Sequence, residues 1–165
     1  MFELKSVSRN AIPEALAKAE RYRLLSEPGE AESICLDVLR IDPDNQPALV
    51  MLLLAITDQF SESLRAHDAR DVVRRLSGEY ERAYYTGIIL ERSAKAIQRN
   101  GHPGYGFAAY EWLLEAMKCY EKAEAIRPAE NDDAILRWNA CARELARDSS
   151  LRPRPDSEPE PVLSE

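Results

Sequence analysis

Apolar side chains recur along this chain at three- and four-residue intervals with polar positions between them, the period of helices that bury one face. Ile12, Leu16, Ala19, Tyr22 and Leu25 or Ala15 mark a first helix over 11–25, closed by Ser26-Glu27-Pro28-Gly29. Pro13 falls in its opening turn, where a missing N–H costs little, and Asn10 or Ser8 is placed to cap it. A second helix over 30–41 turns Ala31, Ile34, Cys35, Val38 and Leu39 inward and stops at Asp42-Pro43-Asp44-Asn45. The third, over 46–59, carries the run ALVMLLLAI and is apolar nearly all round, which places it in the middle of a stack. A fourth over 63–76 presents Leu64, Ala69, Val72, Val73 and Leu76. The fifth is longer, 79–99, with Ala83, Tyr84, Gly87, Ile88, Leu90, Ala94 and Ile97, and the glycine-rich stretch 100–106 breaks it. A sixth, 107–126, ends at Arg127-Pro128. The seventh, 131–147, keeps Ile135, Trp138, Cys141 and Leu145 on one face, as a terminal capping helix would. Short turns between such helices make chain neighbours antiparallel.

One arrangement occurs twice. Ala31, Cys35, Val38 and Pro43 are echoed by Ala116, Tyr120, Ala123 and Pro128. The small residue lets a neighbouring helix approach, the bulkier one a turn later fills the gap, and proline follows the helix end. With Tyr22 added, the stretch 12–45 resembles the tetratricopeptide repeat, whose period is about 34 residues. The stretch 46–79 keeps the length with Leu49, Leu52, Leu53 and Ile56 in place of the family's Trp/Leu/Gly/Tyr series. In the third unit Ala83 and Gly87 open the pattern, but Ala116 to Pro128 arrive late, and the excess falls around 100–106.

The resemblance implies an all-α fold: a right-handed superhelix of about three antiparallel helix pairs plus a C-terminal capping helix. The chain then divides into an N-terminal arm, 1–10, a helical domain, 11–148, and a disordered proline-rich acidic tail, 149–165. Such superhelices bind polypeptides on the concave face, lined by the first helix of each pair. The corresponding positions here are Leu16, Glu20 and Arg23, then Val50, Leu54 and Asp58, then Tyr84, Ile88 and Glu91. This groove is expected to be largely apolar, fitting an amphipathic helix or an extended apolar segment. Co-chaperone members clamp a C-terminal carboxylate with Lys and Asn; Leu16, Glu20, Met51 and Tyr84/Tyr85 stand here instead. Two other occupants are open: the arm, through Phe2, Leu4 and Val7, or a second copy in a homodimer or larger self-assembly. A secretion-type chaperone that shields apolar segments is a narrower form of the same reading.

Composition narrows the function further. With 165 residues, 45% of them hydrophobic, the chain is long enough to bury a core without staples. A formal charge of −7 opposes attraction to nucleic acid. The clusters Arg70/Arg74/Arg75 and Arg137/Arg143/Arg147 alternate with acids and read as solvated helix faces. The longest apolar run is far below the roughly 20 residues of a membrane span. The opening residues lack a signal-peptide pattern, which reads as cytoplasmic.

Candidate chemistry is sparse. Cys35, Cys119 and Cys141 are odd in number and far apart, as buried reduced thiols would be. His67 beside Asp68, and His102 in a Gly/Pro turn, read as surface residues, and neither falls within five residues of a cysteine as zinc ligation prefers. Gly101, Gly104 and Gly106 lack the Walker spacing and its Lys. Tyr84-Tyr85 and Trp112/Trp138 read as core filling rather than a ligand pocket. The expectation is a non-enzymatic interaction protein without cofactor or metal.

Overall fold

The computed structural model describes residues 1–155; the end of the expected tail, 156–165, lies outside the described residues. A 3-10 turn, Arg9–Ala11, leads into α1 (Ile12–Leu24), followed by α2 (Pro28–Ile41), α3 (Gln46–Asp58), α4 (Ala66–Arg74), α5 (Glu79–Asn100), α6 (Tyr105–Ala125) and α7 (Asp133–Arg147). Each helix packs on its chain neighbours, and α1 also meets α3 as α3 meets α5. No strand occurs among the described residues.

Local chemistry explains the boundaries. Pro13, Pro28 and Pro47 stand in the first turns of α1, α2 and α3, where the amide they lack has no intrahelical partner. Asn45 caps α3, its side-chain oxygen accepting from the Ala48 N–H at 3.0 Å. Neither Ser8 nor Asn10 caps α1; the 3-10 turn replaces a side-chain cap, and Arg9 Nη2 donates to the Ile41 carbonyl at 3.0 Å. The α1–α2 turn reverses through Ser26, at φ +60°, while Gly29 already belongs to α2. Helix α4 begins later than the periodicity predicts, so Leu64 stays outside it and exposed. Arg65 makes the difference: its guanidinium holds Glu32 of α2 at 2.8 and 3.0 Å and fixes the chain before the helix starts.

Two apolar cores fill the stack. The first gathers Leu49, Leu52, Leu53 and Ile56 of α3 with Ala31, Cys35 and Val38 of α2 and Ala69, Val72 and Val73 of α4. The second holds Ala116, Tyr120 and Ala123 of α6, Ile88 and Ala94 of α5, and Ala134 and Cys141 of α7. Helix α5 divides its faces between them, giving Ile89 and Ala96 to the first, and Leu54 and Tyr85 touch both. All six repeated positions, Ala31, Cys35, Val38, Ala116, Tyr120 and Ala123, are completely buried. The small residue at α5 has a direct purpose: a Cβ on Gly87 would lie 2.5 Å from the Tyr120 ring.

The two ends of the described chain differ: one of the open alternatives for the arm is not realised, and the segment expected to be disordered is packed. Phe2 and Leu4 are fully or largely exposed, so the arm does not fold back to fill a groove. The segment after α7 is packed: Leu151 is 5% exposed within the second core, and Tyr105 lies 3.4 Å from the Ser150 hydroxyl. Arg152 sits over the Phe107 ring at 5.7 Å, and Arg154 reaches Glu111 at 3.2 Å. Gly106 permits this approach, since a Cβ there would meet the Ser150 carbonyl at 2.2 Å. Residues 149–154 thus belong to the domain, because one buried leucine and three side-chain contacts offset the entropy of ordering them.

Two substitutions test this packing. Gly87→Ala gains about 1 kcal/mol of helix propensity but overpacks against Tyr120 at about 1–3 kcal/mol, so the urea midpoint should fall with helix content unchanged. Leu151→Ala should cost about 2 kcal/mol or more, where a residue in a solvated tail would cost nothing measurable.

Candidate binding cavity

Alternate helices share one side of the molecule, and α1, α3, α5 and α7 enclose there a cavity of about 570 Å³. Its register is set by α5, whose cavity-facing stripe runs Tyr84, Ile88, Arg92, Lys95, Arg99 at three- and four-residue steps along one face. Helix α3 faces it with Leu54 and Asp58, α1 contributes Arg23, and α7 contributes Asp133 and Arg137.

Two carboxylates lace these helices together. Asp58 of α3 accepts from Arg23 Nε of α1 at 2.7 Å and from Arg92 Nη1 of α5 at 2.5 Å. Arg92 also donates to Thr57 Oγ1 at 2.6 Å and to the Leu54 carbonyl at 3.3 Å. Deeper in, Glu91 of α5 is 1% exposed. Its Oε2 accepts from Tyr120 Oη of α6 at 2.7 Å and from Arg137 Nε of α7 at 3.1 Å. Its Oε1 accepts from Lys95 Nζ at 2.7 Å and from Arg137 Nη2, so the guanidinium grips the carboxylate with both arms. Burial pushes the Glu91 carboxyl up, but the hydrogen bonds from Arg137, Lys95 and Tyr120 outweigh it and hold its pKa below the ordinary carboxylate value. The Tyr120 hydroxyl is pushed up, by burial first and then by the Glu91 charge.

At the other end the wall is aromatic. Tyr84 stacks on Tyr80 with ring centroids 5.8 Å apart and meets Tyr85 edge-on at 5.0 Å. Burial, with Asp133 nearby, raises the Tyr84 hydroxyl to about 12. All three tyrosines are half-buried; Tyr84 and Tyr85 are shared between core and cavity, and Tyr80 backs them from the second core.

Six of the nine positions expected in a groove meet here: Arg23, Leu54, Asp58, Tyr84, Ile88 and Glu91. Leu16, Glu20 and Val50 do not; Leu16 and Val50 pack on the first core, and Glu20 borders an adjoining hollow of about 410 Å³ on the other side of the Arg23–Asp58 pair, near Leu24 and Pro28. Glu91 lies at the base as a tethered ion rather than a contact at the rim. The expectation of a largely apolar groove is corrected, since five cations and three carboxylates line the cavity. Arg137, expected on a solvated face, is drawn inward because a buried carboxylate without a partner is costly. Arg92, Lys95 and Arg99 share the spacing of Tyr84 and Ile88, and that periodicity was the available signal for them.

The cysteines and histidines lie outside the lining of this cavity. The Cys35 and Cys141 thiols are pushed up to about 12, chiefly by burial, and stay protonated at neutral pH. Cys119 is half-buried, an exception to the expectation for the three thiols, and its thiol is raised for the same reason. His67 is exposed, 3.3 Å from Asp71. Among the described residues no group of three or more His, Cys, Asp or Glu is placed to hold a metal ion, and no helix is long and apolar enough to cross a membrane.

The folded Glu91 carboxyl titrates below its ordinary value of 4.5, so its stabilisation is complete above that pH and is lost as pH falls through the folded pKa. Glu91→Gln should therefore lower stability by about 2–3 kcal/mol at neutral pH, with the gap to wild type closing as pH falls below the ordinary carboxylate range, as read by urea unfolding at several pH values. No family model, no characterised protein and no solved structure matches this chain, so the functional reading rests on the cavity itself.

Proposed function

We propose that this chain is a non-enzymatic interaction module: a short tetratricopeptide-like right-handed superhelix that holds a segment of a partner polypeptide along the face made by α1, α3, α5 and α7. One observation carries the reading. Positions chosen for a concave face by repeat register alone converge, six of nine, on a single cavity walled by the first helix of each pair. The cavity's shape supports a polypeptide occupant, being elongated along α5 and walled by side chains on four helices. Its chemistry supports binding over catalysis, because two of its three carboxylates, Asp58 and Glu91, are committed to ion pairs that join helices.

Self-assembly is the second reading, and the exposed Met1, Phe2 and Leu4 favour it, since an apolar arm left in water is suited to a second copy. The full chain used as bait in its own cells separates the two. A partner captured by wild type and lost with Leu54→Glu, while circular dichroism shows the variant still folded, is the expected result; Leu54 is half-buried on the cavity wall and touches both cores, so a charge there blocks the site and lowers the melting temperature. Capture indifferent to Leu54→Glu would remove the cavity from the function. A dimer by light scattering that Leu54→Glu dissociates would replace the adaptor with self-assembly.

A further inference from the structure

The cavity is polarised from end to end, and its polarity runs against that of the whole molecule. The chain carries a formal charge of −7, yet five cationic side chains face the cavity against three carboxylates. Two of those carboxylates, Asp58 and Glu91, are each shared by two cations. The third, Asp133, lies toward the tyrosine end, where it raises the Tyr84 hydroxyl after burial has done so. The opposite end therefore carries the cationic excess. Arg92, Lys95 and Arg99 line up there on one face of α5, and exposed Arg99 makes no ion pair among the described residues.

The distance between the two ends is fixed by helix geometry. Fifteen steps along α5 separate Tyr84 from Arg99, about 22 Å at 1.5 Å per residue. At the tyrosine end Leu54, Tyr84 and Ile88 offer an apolar wall; at the far end guanidinium and ammonium groups offer donors that match carboxylates.

Resting on the reading of this cavity as a polypeptide site, the geometry points to a bipartite partner segment: an aliphatic or aromatic anchor against Leu54, Tyr84 and Ile88, and a cluster of Asp and Glu at Lys95 and Arg99. An extended segment spans the interval in about seven residues, and a helical one in about fifteen. The anchor supplies affinity through burial, while the acidic cluster supplies orientation and speeds encounter. An acidic partner would be repelled by most of this molecule's surface, so the cationic end also selects where it lands.

A random library of roughly 18-residue peptides, long enough to span the interval in either conformation, blocked at both ends and selected against the immobilised full chain, tests the inference. The enriched pool should hold acidic residues displaced from an apolar or aromatic one, and the best peptide should lose about tenfold in affinity with Arg99→Glu. Its affinity should also fall as salt rises from about 50 to about 300 mM. Arg99 is exposed and unpaired among the described residues, so the substitution leaves the fold intact, which an unchanged melting curve verifies. Loss of binding with Leu54→Glu but no acidic enrichment, or indifference to Arg99→Glu, overturns the inference and leaves the cavity as the site. Peptides that bind Leu54→Glu as well as wild type overturn both, as does a library with no enriched member. A dimer dissociated by Leu54→Glu makes a second copy the occupant and overturns the acidic partner.

Discussion

A single carboxylate, that of Glu91, sits in the middle of the longest helix with almost no access to water and four donor groups around it. An ion in that position is tolerable only while its partners are present, because the desolvation of an unpaired charge costs several kcal/mol. The requirement propagates outward. Tyr120 must enter deeply enough to donate, which α5 allows by having Gly87 where a Cβ would strike the ring. Arg137 must turn inward, which fixes α7 in rotation and height against α5. The second core is therefore specified by one electrostatic condition as well as by apolar fit, whereas the first core, around α3, is held by packing alone at its centre.

The same ion pair builds the cavity wall. Arg137 and Lys95 converge on Glu91 while Arg23 and Arg92 converge on Asp58, so successive members of the α1, α3, α5, α7 row are tied across the floor. Cations held in place by structural carboxylates lose little freedom when a ligand arrives, and this preorganisation favours binding. The Asp58 pairs are partly exposed and contribute modestly to stability, so their main effect is on the spacing between helices. The exposed Arg99 lies outside this bracing altogether.

Much of the architecture was legible from periodicity. The seven helices fall within a few residues of where the apolar spacing puts them, and the two copies of the small/bulky/small pattern mark positions that are wholly buried. What periodicity missed depends on distant partners. Arg137 reads as a surface residue because its acid lies 46 positions earlier on another helix. Glu91 reads as a groove contact because its azimuth is right while its depth is decided by Tyr120 and Gly87. Leu151 stands alone in a proline-rich, polar stretch, and a single apolar residue has no period to reveal it. The polarity of the cavity was hidden for a related reason: the charges were countable, but which of them share a wall follows from how α5 is set against α3.

That setting has a consequence for how this molecule can change over time. Arg92 meets Asp58 at the end of α3, and the last eight residues of α5 continue about 12 Å along the helix axis from that contact before turning at Gly101, an overhang beyond α3 itself. Outward-facing positions on the overhang are excused from holding the first core together. Substitutions at 99, or longer and shorter turns between 101 and 104, can alter what the rim recognises while the bracing at Asp58 and Glu91 stays in place. Innovation and structural integrity are thus assigned to different faces of one helix end: Ala94, Lys95 and Ala96 stay bound to the cores and the bracing, and drift at exposed positions such as 99 is free to explore new partners without endangering the fold.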